Sequence, residues 1–143
     1  MKVNFFSPQR EYHEKQGEFD AAIHSVIESG NFIMGKEVSE FEKQVEEYTK
    51  AKHAVSVACG TDALVIASDI LKFNSGKEVI TSPFTFLASA SCIARNGAKP
   101  VFVDIDEDTL SIDAYKIEEK VNQNTVGILP IHLFCQMSDM DKI

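Results

Sequence analysis

The sequence has little of what marks a secreted, membrane-spanning or disulfide-bonded protein. Only three of its 143 residues are cysteine, and Cys59, Cys92 and Cys135 form no CxxC pair and leave one thiol over in any disulfide scheme. The longest nearly apolar run, residues 126–135, has about half the length that a bilayer-spanning helix needs. The first residues contain no apolar stretch of the signal-peptide kind. We therefore expect reduced cysteines in a cytoplasmic protein that has no membrane partner.

Positive charge is also scarce. Lysine and arginine together number 14 against 22 aspartate and glutamate residues, so the net charge is −8, and the basic residues are scattered along the chain. Nucleic acid is not an expected partner, because binding it needs clustered cations. With 143 residues and 44% apolar content, the chain is long enough for one core and too short for two comfortable domains.

Two N-terminal segments carry apolar residues at helical spacing. The first runs from Phe19 to Ile27 and is stopped by Gly30. The second extends over about residues 37–50. Both are predicted to be helices.

After residue 53 the period changes, and short apolar runs alternate with helical patterns. This alternation predicts crossover connections and a mostly parallel sheet with helices on both faces, a three-layer α/β/α fold. Ligands are expected at the carboxyl ends of its strands. The predicted strands are 54–58, 78–81, 100–104 and 126–133, and the predicted helices are 61–73, 85–96 and 113–121.

The stretch Gly60-Thr61-Asp62 lies where the first of these strands turns into a helix. Such a junction leaves free backbone N–H groups and a partial positive charge. Two interpretations are open. Thr61 or Asp62 can cap its own helix, or the N–H groups of Thr61, Asp62 and Ala63 can converge on an anion that Gly60 allows to approach closely.

Aromatic residues follow the next strand, in the segment from Thr81 to Phe86. Consecutive strand ends lie near each other in a doubly wound sheet, so Phe84 or Phe86 can stack on a flat ring whose phosphate rests at Gly60. One of the two phenylalanines is expected in the core. Pyridoxal phosphate fits this arrangement, and so does a nucleotide.

His132 follows the last predicted strand closely. It is expected either to line the site or to be a hydrogen-bonded core histidine. The acidic run that begins at Asp104 resembles the start of a calcium loop, but Thr109 and Tyr115 stand where the required glycine and glutamate should be. No metal site is predicted.

Together these motifs resemble the N-terminal part of the DegT/StrS family of pyridoxal-phosphate-dependent sugar aminotransferases, within the fold type I (aspartate aminotransferase) superfamily. The resemblance covers nearly the whole chain, and several motifs in the family's order make it specific. They are Ser29 to Gly35 with Phe41-Glu42, Gly60-Thr61-Asp62-Ala63-Leu64, Glu78 to Phe86, Gly97 to Asp106, and Pro130 to Gln136.

The resemblance implies that the cofactor phosphate is held at Gly60, Thr61, Asp62 and Ala63. It also implies that Phe86 stacks on the pyridine ring, at a position where the family often has a larger aromatic residue. His132 and Gln136 match a family strand near the site and are candidates for its wall, without an assigned role.

Family members typically transfer an amino group from glutamate to a keto group on a nucleotide-linked sugar, in polysaccharide or glycoconjugate synthesis, and work as dimers. The resemblance places their Schiff-base lysine and pyridine-pairing aspartate beyond Ile143, so no catalytic residue is assigned here. Residues 1–143 are thus expected to be an N-terminal segment plus the first part of the large cofactor-binding domain. Alone, this fragment is expected to be inactive, to bind phosphate weakly and to leave apolar surface uncovered.

Two other functions remain open from the sequence. One is a sugar dehydratase of the same fold, in which a histidine replaces the lysine. The other is a non-catalytic binding or regulatory fragment.

Overall fold

The computed structural model describes residues 4–143, which divide into two compact units on either side of the Ser56–Val57 bond. The N-terminal unit contains α1 (Pro8–Glu14), α2 (Gln16–Ser29) and α3 (Lys36–Thr49). The C-terminal unit contains α4 (Gly60–Ile70), β1 (Glu78–Thr81), α5 (Ala88–Arg95), β2 (Lys99–Phe102), α6 (Ala114–Ile117) and β3 (Thr125–Leu129). No helix in the described part of the chain is long and apolar enough to span a bilayer.

Both predicted N-terminal helices are confirmed. Helix α2 ends at Gly30, whose φ of 68° is the left-handed conformation that glycine adopts without steric cost. Helix α1 was not predicted, although Pro8 just after Ser7 is a recognisable start signal.

The predicted strand at 54–58 is wrong, because this segment is extended but joins no sheet in the described residues. Its backbone donors are used by α3 instead. The N–H of Ala54 donates to a Glu46 carboxylate oxygen at 3.0 Å, and the N–H of Ser56 donates to Glu42 at 2.7 Å. Two carboxylates thus replace the neighbouring strand that a ladder requires.

The C-terminal unit confirms the parallel sheet for the other three predicted strands, in the order β2-β1-β3. Alternate residues of β1 face opposite layers. Val79 packs in a cluster with α5 that includes Cys92 and Ile93, whereas Ile80 packs with Ile117 of α6. Helices therefore cover both faces, and the three-layer α/β/α arrangement is confirmed.

Several predicted elements end earlier or begin later than expected. Strand β3 stops at Leu129, because Pro130 has no N–H for the ladder. Helix α5 begins at Ala88, after a bent segment that follows β1. Asp113 caps α6 by accepting the Tyr115 N–H at 3.1 Å, but the helix then tightens into a 3₁₀ turn at Glu118–Lys120.

Gly127 is required by a close approach in the core. A Cβ atom built there would lie 3.0 Å from Cζ and 3.1 Å from Cε1 of Phe73, which is itself buried. We expect Gly127→Ala to lower the free energy of unfolding by about 1–3 kcal/mol, measured by urea denaturation, because the ring must shift in a packed core. Gly60→Ala is the control, since a Cβ there meets nothing within 4 Å; equal losses in the two variants would contradict the steric explanation.

Candidate functional site

The candidate site lies at the carboxyl edge of the sheet. Helices α4 and α5 each lead to the start of a parallel strand, β1 and β2 respectively. Each helix therefore runs back across the sheet, and its N-terminus lies at the edge where the strands end. This connectivity brings Gly60, which begins α4, and Phe86, which precedes α5, to the same edge.

The first turn of α4 is not capped by its own side chains. Cys59 occupies the cap position with an extended backbone, and among residues 4–143 no side chain accepts a capping hydrogen bond from the turn. The self-capping interpretation of Thr61 and Asp62 is therefore wrong. The helix terminus retains unpaired donors and the positive end of its dipole.

The available donors differ from those expected. The N–H groups of Asp62 and Ala63 donate to the Cys59 carbonyl at 3.1 and 3.2 Å. Within residues 57–143 the N–H groups of Gly60 and Thr61 have no acceptor. Of the predicted donors only the Thr61 N–H is thus available to an anion, and the Gly60 N–H, which was not predicted, is available beside it.

These residues fit a phosphate group. The space around Gly60 is open, since a Cβ there would meet nothing within 4 Å. The Thr61 side chain adds a hydroxyl donor beside the two free N–H groups. Asp62 adds negative charge to the first turn, which favours the helix itself but opposes a bound anion. Roles for Asp62 and Ala63 in holding the cofactor remain predictions.

The two phenylalanines after β1 have different surroundings, and neither is buried in the core. Phe84 is 44% exposed and packs against Phe134, with ring centroids 6.5 Å apart and planes tilted by 56°. Phe86 is 75% exposed and has no aromatic neighbour among the described residues. Phe86 is thus the ring with a free face for stacking.

His132 lies just after β3 and is exposed, so it is not a core histidine. Its Nδ1 accepts the N–H of Ser138 at 3.1 Å, which places the proton of the neutral ring on Nε2. The Gln136 side chain is exposed, and the backbone N–H of Gln136 donates to the Leu133 carbonyl at 3.0 Å. A role for either residue as a site wall stays a prediction.

Sequence reasoning missed Ser138 and Phe134. Ser138 is 3% exposed and its hydroxyl donates to the Ile131 carbonyl at 3.1 Å. No local pattern indicates these contacts, because they depend on how the loop after β3 folds back.

In the acidic run after β2, a carboxylate accepts its hydrogen bonds from residues of the run itself. Asp106 Oδ1 accepts the N–H groups of Thr109 and Asp108 at 2.9 and 3.1 Å, and the Thr109 hydroxyl at 3.0 Å. These three bonds hold the pKa of Asp106 below its usual value, and the bond from the Thr109 N–H has the largest effect. Among residues 4–143 there is no group of three His, Cys, Asp or Glu side chains arranged to hold a metal ion.

The chain is similar to curated proteins over its whole length. It is 41% identical over 143 residues to a "Pleiotropic regulatory protein" of Geobacillus stearothermophilus, covering 100% of this chain and 38% of that protein. It is 38% identical over 141 residues to UDP-2-acetamido-2-deoxy-3-oxo-D-glucuronate aminotransferase of Pseudomonas aeruginosa, covering 99% of this chain and 39% of that protein. The chain thus spans well under half the length of these relatives.

Solved structures agree with this similarity. DesV of S. venezuelae superposes with a TM-score of 0.92 at 36% identity, covering 99% of this chain and 38% of that one. NtdA of Bacillus subtilis, solved with the bound cofactor PMP, superposes with a TM-score of 0.91 at 33% identity, covering 99% of this chain and 33% of that one. Both neighbours are fold type I aminotransferases, and the small parallel sheet described above is part of that fold. The model of the DegT/DnrJ/EryC1/StrS aminotransferase family matches residues 13–143, and the chain belongs to this family.

Proposed function

We propose that this chain is the N-terminal, cofactor-binding part of a pyridoxal-phosphate-dependent aminotransferase. Its substrates would be glutamate, as amino donor, and a keto sugar linked to a nucleotide. Relatives named as transaminases of dTDP-linked amino sugars support the substrate class, at 41% and 36% identity. A relative named as a spore coat polysaccharide biosynthesis protein supports a role in polysaccharide synthesis.

The observation that carries the proposal is the uncapped start of α4, which the chain connectivity brings to the same edge of the sheet as the exposed Phe86 ring. A phosphate would accept hydrogen bonds from the N–H groups of Gly60 and Thr61 and from the Thr61 hydroxyl. Phe86 would lie against the face of the attached ring and restrict its rotation. Bound pyridoxal phosphate supplies the electron-withdrawing ring that makes amino transfer feasible.

His132 would form part of the wall of the same site. With Nδ1 occupied by the Ser138 N–H, only its Nε2–H is free to donate to a substrate or cofactor oxygen. We assign no proton transfer to any residue of this chain. The lysine that forms the Schiff base in the family, and the aspartate that pairs with the pyridine nitrogen, would follow Ile143.

The proposal includes a homodimer in the cytoplasm. Large apolar side chains on the outer surface of α4, Ile66 and Ile70, are 48% and 68% exposed and offer surface to further chain or to a second subunit. All three cysteines are free thiols, as a reducing compartment requires.

One observation favours a second candidate, a non-catalytic regulatory role. The Geobacillus protein that is 41% identical to the whole chain is named as a regulator rather than an enzyme. A regulator on this fold would keep the phosphate site at Gly60 and Thr61 but would transfer no amino group.

Amino transfer can be tested directly with the product of the complete gene. The protein is incubated with glutamate labelled at its amino nitrogen and with UDP- or dTDP-linked keto sugars, and the sugars are analysed by mass spectrometry. We expect the label to enter the sugar with loss of the keto oxygen. Loss of water without label would indicate the dehydratase, and unchanged sugars across the panel would favour the regulatory candidate.

A further inference from the structure

The loop that follows β3 has a strained backbone. Phe134 and Cys135 are consecutive non-glycine residues with φ of 55° and 62°, in the left-handed region. L-residues avoid this region, and such strain persists only where the surroundings hold it in place. The contacts of this loop therefore indicate which groups hold its backbone and which side chain it directs towards another segment.

Polar contacts hold the base of the loop. Ser138 donates its N–H to His132 Nδ1 and its hydroxyl to the Ile131 carbonyl, both at 3.1 Å, and is 3% exposed. The Gln136 N–H closes the turn by donating to Leu133 at 3.0 Å. The Phe134 side chain takes no part in these bonds and packs instead against an aromatic side chain of another segment.

Phe134 meets the segment that leaves β1. Its ring packs against Phe84 at a centroid distance of 6.5 Å, and the two rings line a shallow apolar pocket with Pro83, Thr85 and Leu133. Phe134 is nevertheless 74% exposed. The pair therefore contributes little to a core, and its effect is mainly on the direction of the segment that carries Phe84.

The rest of that segment is already fixed. Thr81, fully buried, donates its hydroxyl to the Leu129 carbonyl at 2.9 Å. The hydroxyl of Ser82, 1% exposed, accepts the Phe84 N–H at 3.1 Å. Beyond Phe84, the hydroxyl of Thr85 is 2.9 Å from that of Ser89 at the start of α5. The Phe84 side chain between these points has one aromatic partner, Phe134.

We propose that Phe134 is a positioning residue for the ring platform, by which we mean Phe86, the residue that would stack on the cofactor ring. By packing against Phe84, Phe134 holds the one side chain between these hydrogen bonds that they leave free, so that Phe86, two residues later, keeps its exposed face towards the cofactor ring. This inference rests on the proposed function, because it concerns the stacking role of Phe86. It assigns a task to the strained loop after β3 that neither the loop's own hydrogen bonds nor the core explains.

The test compares two probes that report different parts of the site in the cofactor-free product of the complete gene. The affinity for inorganic phosphate depends on the donors at Gly60 and Thr61 alone. The affinity for pyridoxamine 5′-phosphate depends on these donors and on Phe86 together. The amine form has no aldehyde and cannot react with surface lysines. We expect Phe134→Ala to lower the affinity for pyridoxamine phosphate about two- to tenfold, which is the range of one aromatic contact. The affinity for phosphate and the unfolding temperature should not change.

Two control variants separate positioning from a general effect on the loop. Phe134→Tyr keeps the ring and should bind like the wild type. Met137→Ala, in the same loop and 69% exposed, removes an apolar side chain without touching the aromatic pair and should also leave both affinities unchanged. A loss in Met137→Ala equal to that in Phe134→Ala would overturn the inference.

A double-mutant cycle tests whether Phe134 acts through Phe86. In a Phe86→Ala background, Phe134→Ala should cause no further loss of pyridoxamine phosphate affinity. Independent, additive losses would refute positioning, as would a Phe134→Ala variant that binds like the wild type while Phe86→Ala binds weakly. If the wild type binds pyridoxamine phosphate no more tightly than phosphate, the proposed function fails, and the inference fails with it.

Discussion

Ile93→Ala is expected to lower the free energy of unfolding by about 3 kcal/mol, within the range for burying an alanine in place of isoleucine. Ile93 lies on α5, is fully buried, and packs with Phe73, Val79 and Cys92 against one face of the sheet. Truncation would remove three carbon atoms from the middle of this cluster. Val79 lies on β1 and Cys92 on the same helix, so these neighbours can close the cavity only in part.

Urea denaturation followed by circular dichroism would measure the loss. Ile70→Ala makes the same chemical change on α4 at a side chain that is 68% exposed, and alanine has the higher helix propensity. We expect it to change stability by less than about 0.5 kcal/mol. Similar losses in both variants would mean that the cluster around Ile93 is not the core of this unit.

The parallel sheet was predictable because three short apolar runs are each bounded by turn residues and alternate with helical patterns. The run at 54–58 has the same local character but is not a strand, since strand formation depends on a neighbour that the pattern does not reveal. Here the neighbours are Glu42 and Glu46, eight to fourteen residues earlier, whose carboxylates take the backbone N–H groups of Ser56 and Ala54. A contact between a helix side chain and an extended backbone leaves no periodic signal.

The start of α4 was predictable, but the set of its free backbone donors was predictable only in part. Glycine and threonine at the start of a predicted helix indicate open backbone donors, and within residues 57–143 the N–H groups of Gly60 and Thr61 have no acceptor. The loop after β3 could not be foreseen. Left-handed φ at Phe134 and Cys135 runs against the preferences of both residues, and the burial of Ser138 follows from tertiary contacts alone.

Thr61→Val is expected to weaken phosphate and pyridoxamine phosphate binding by about ten- to a hundredfold, which corresponds to the loss of one hydrogen bond to a charged group. Valine has nearly the shape of threonine but cannot donate a hydrogen bond. Only the hydroxyl is lost, while the N–H groups of Gly60 and Thr61 and the helix dipole remain. Binding should therefore weaken without disappearing, as calorimetric titration of the cofactor-free product of the complete gene would show.

The same substitution should leave stability nearly unchanged, and this separates a ligand site from a helix cap. Loss of a capping threonine typically costs about 1 kcal/mol, but no side chain caps α4 in this structure. Thr61→Ser, which restores a hydroxyl at the same position, should recover most of the affinity. A stability loss of the capping size with unchanged phosphate affinity would instead show that Thr61 caps α4 in solution, and the cofactor site would then have to lie elsewhere.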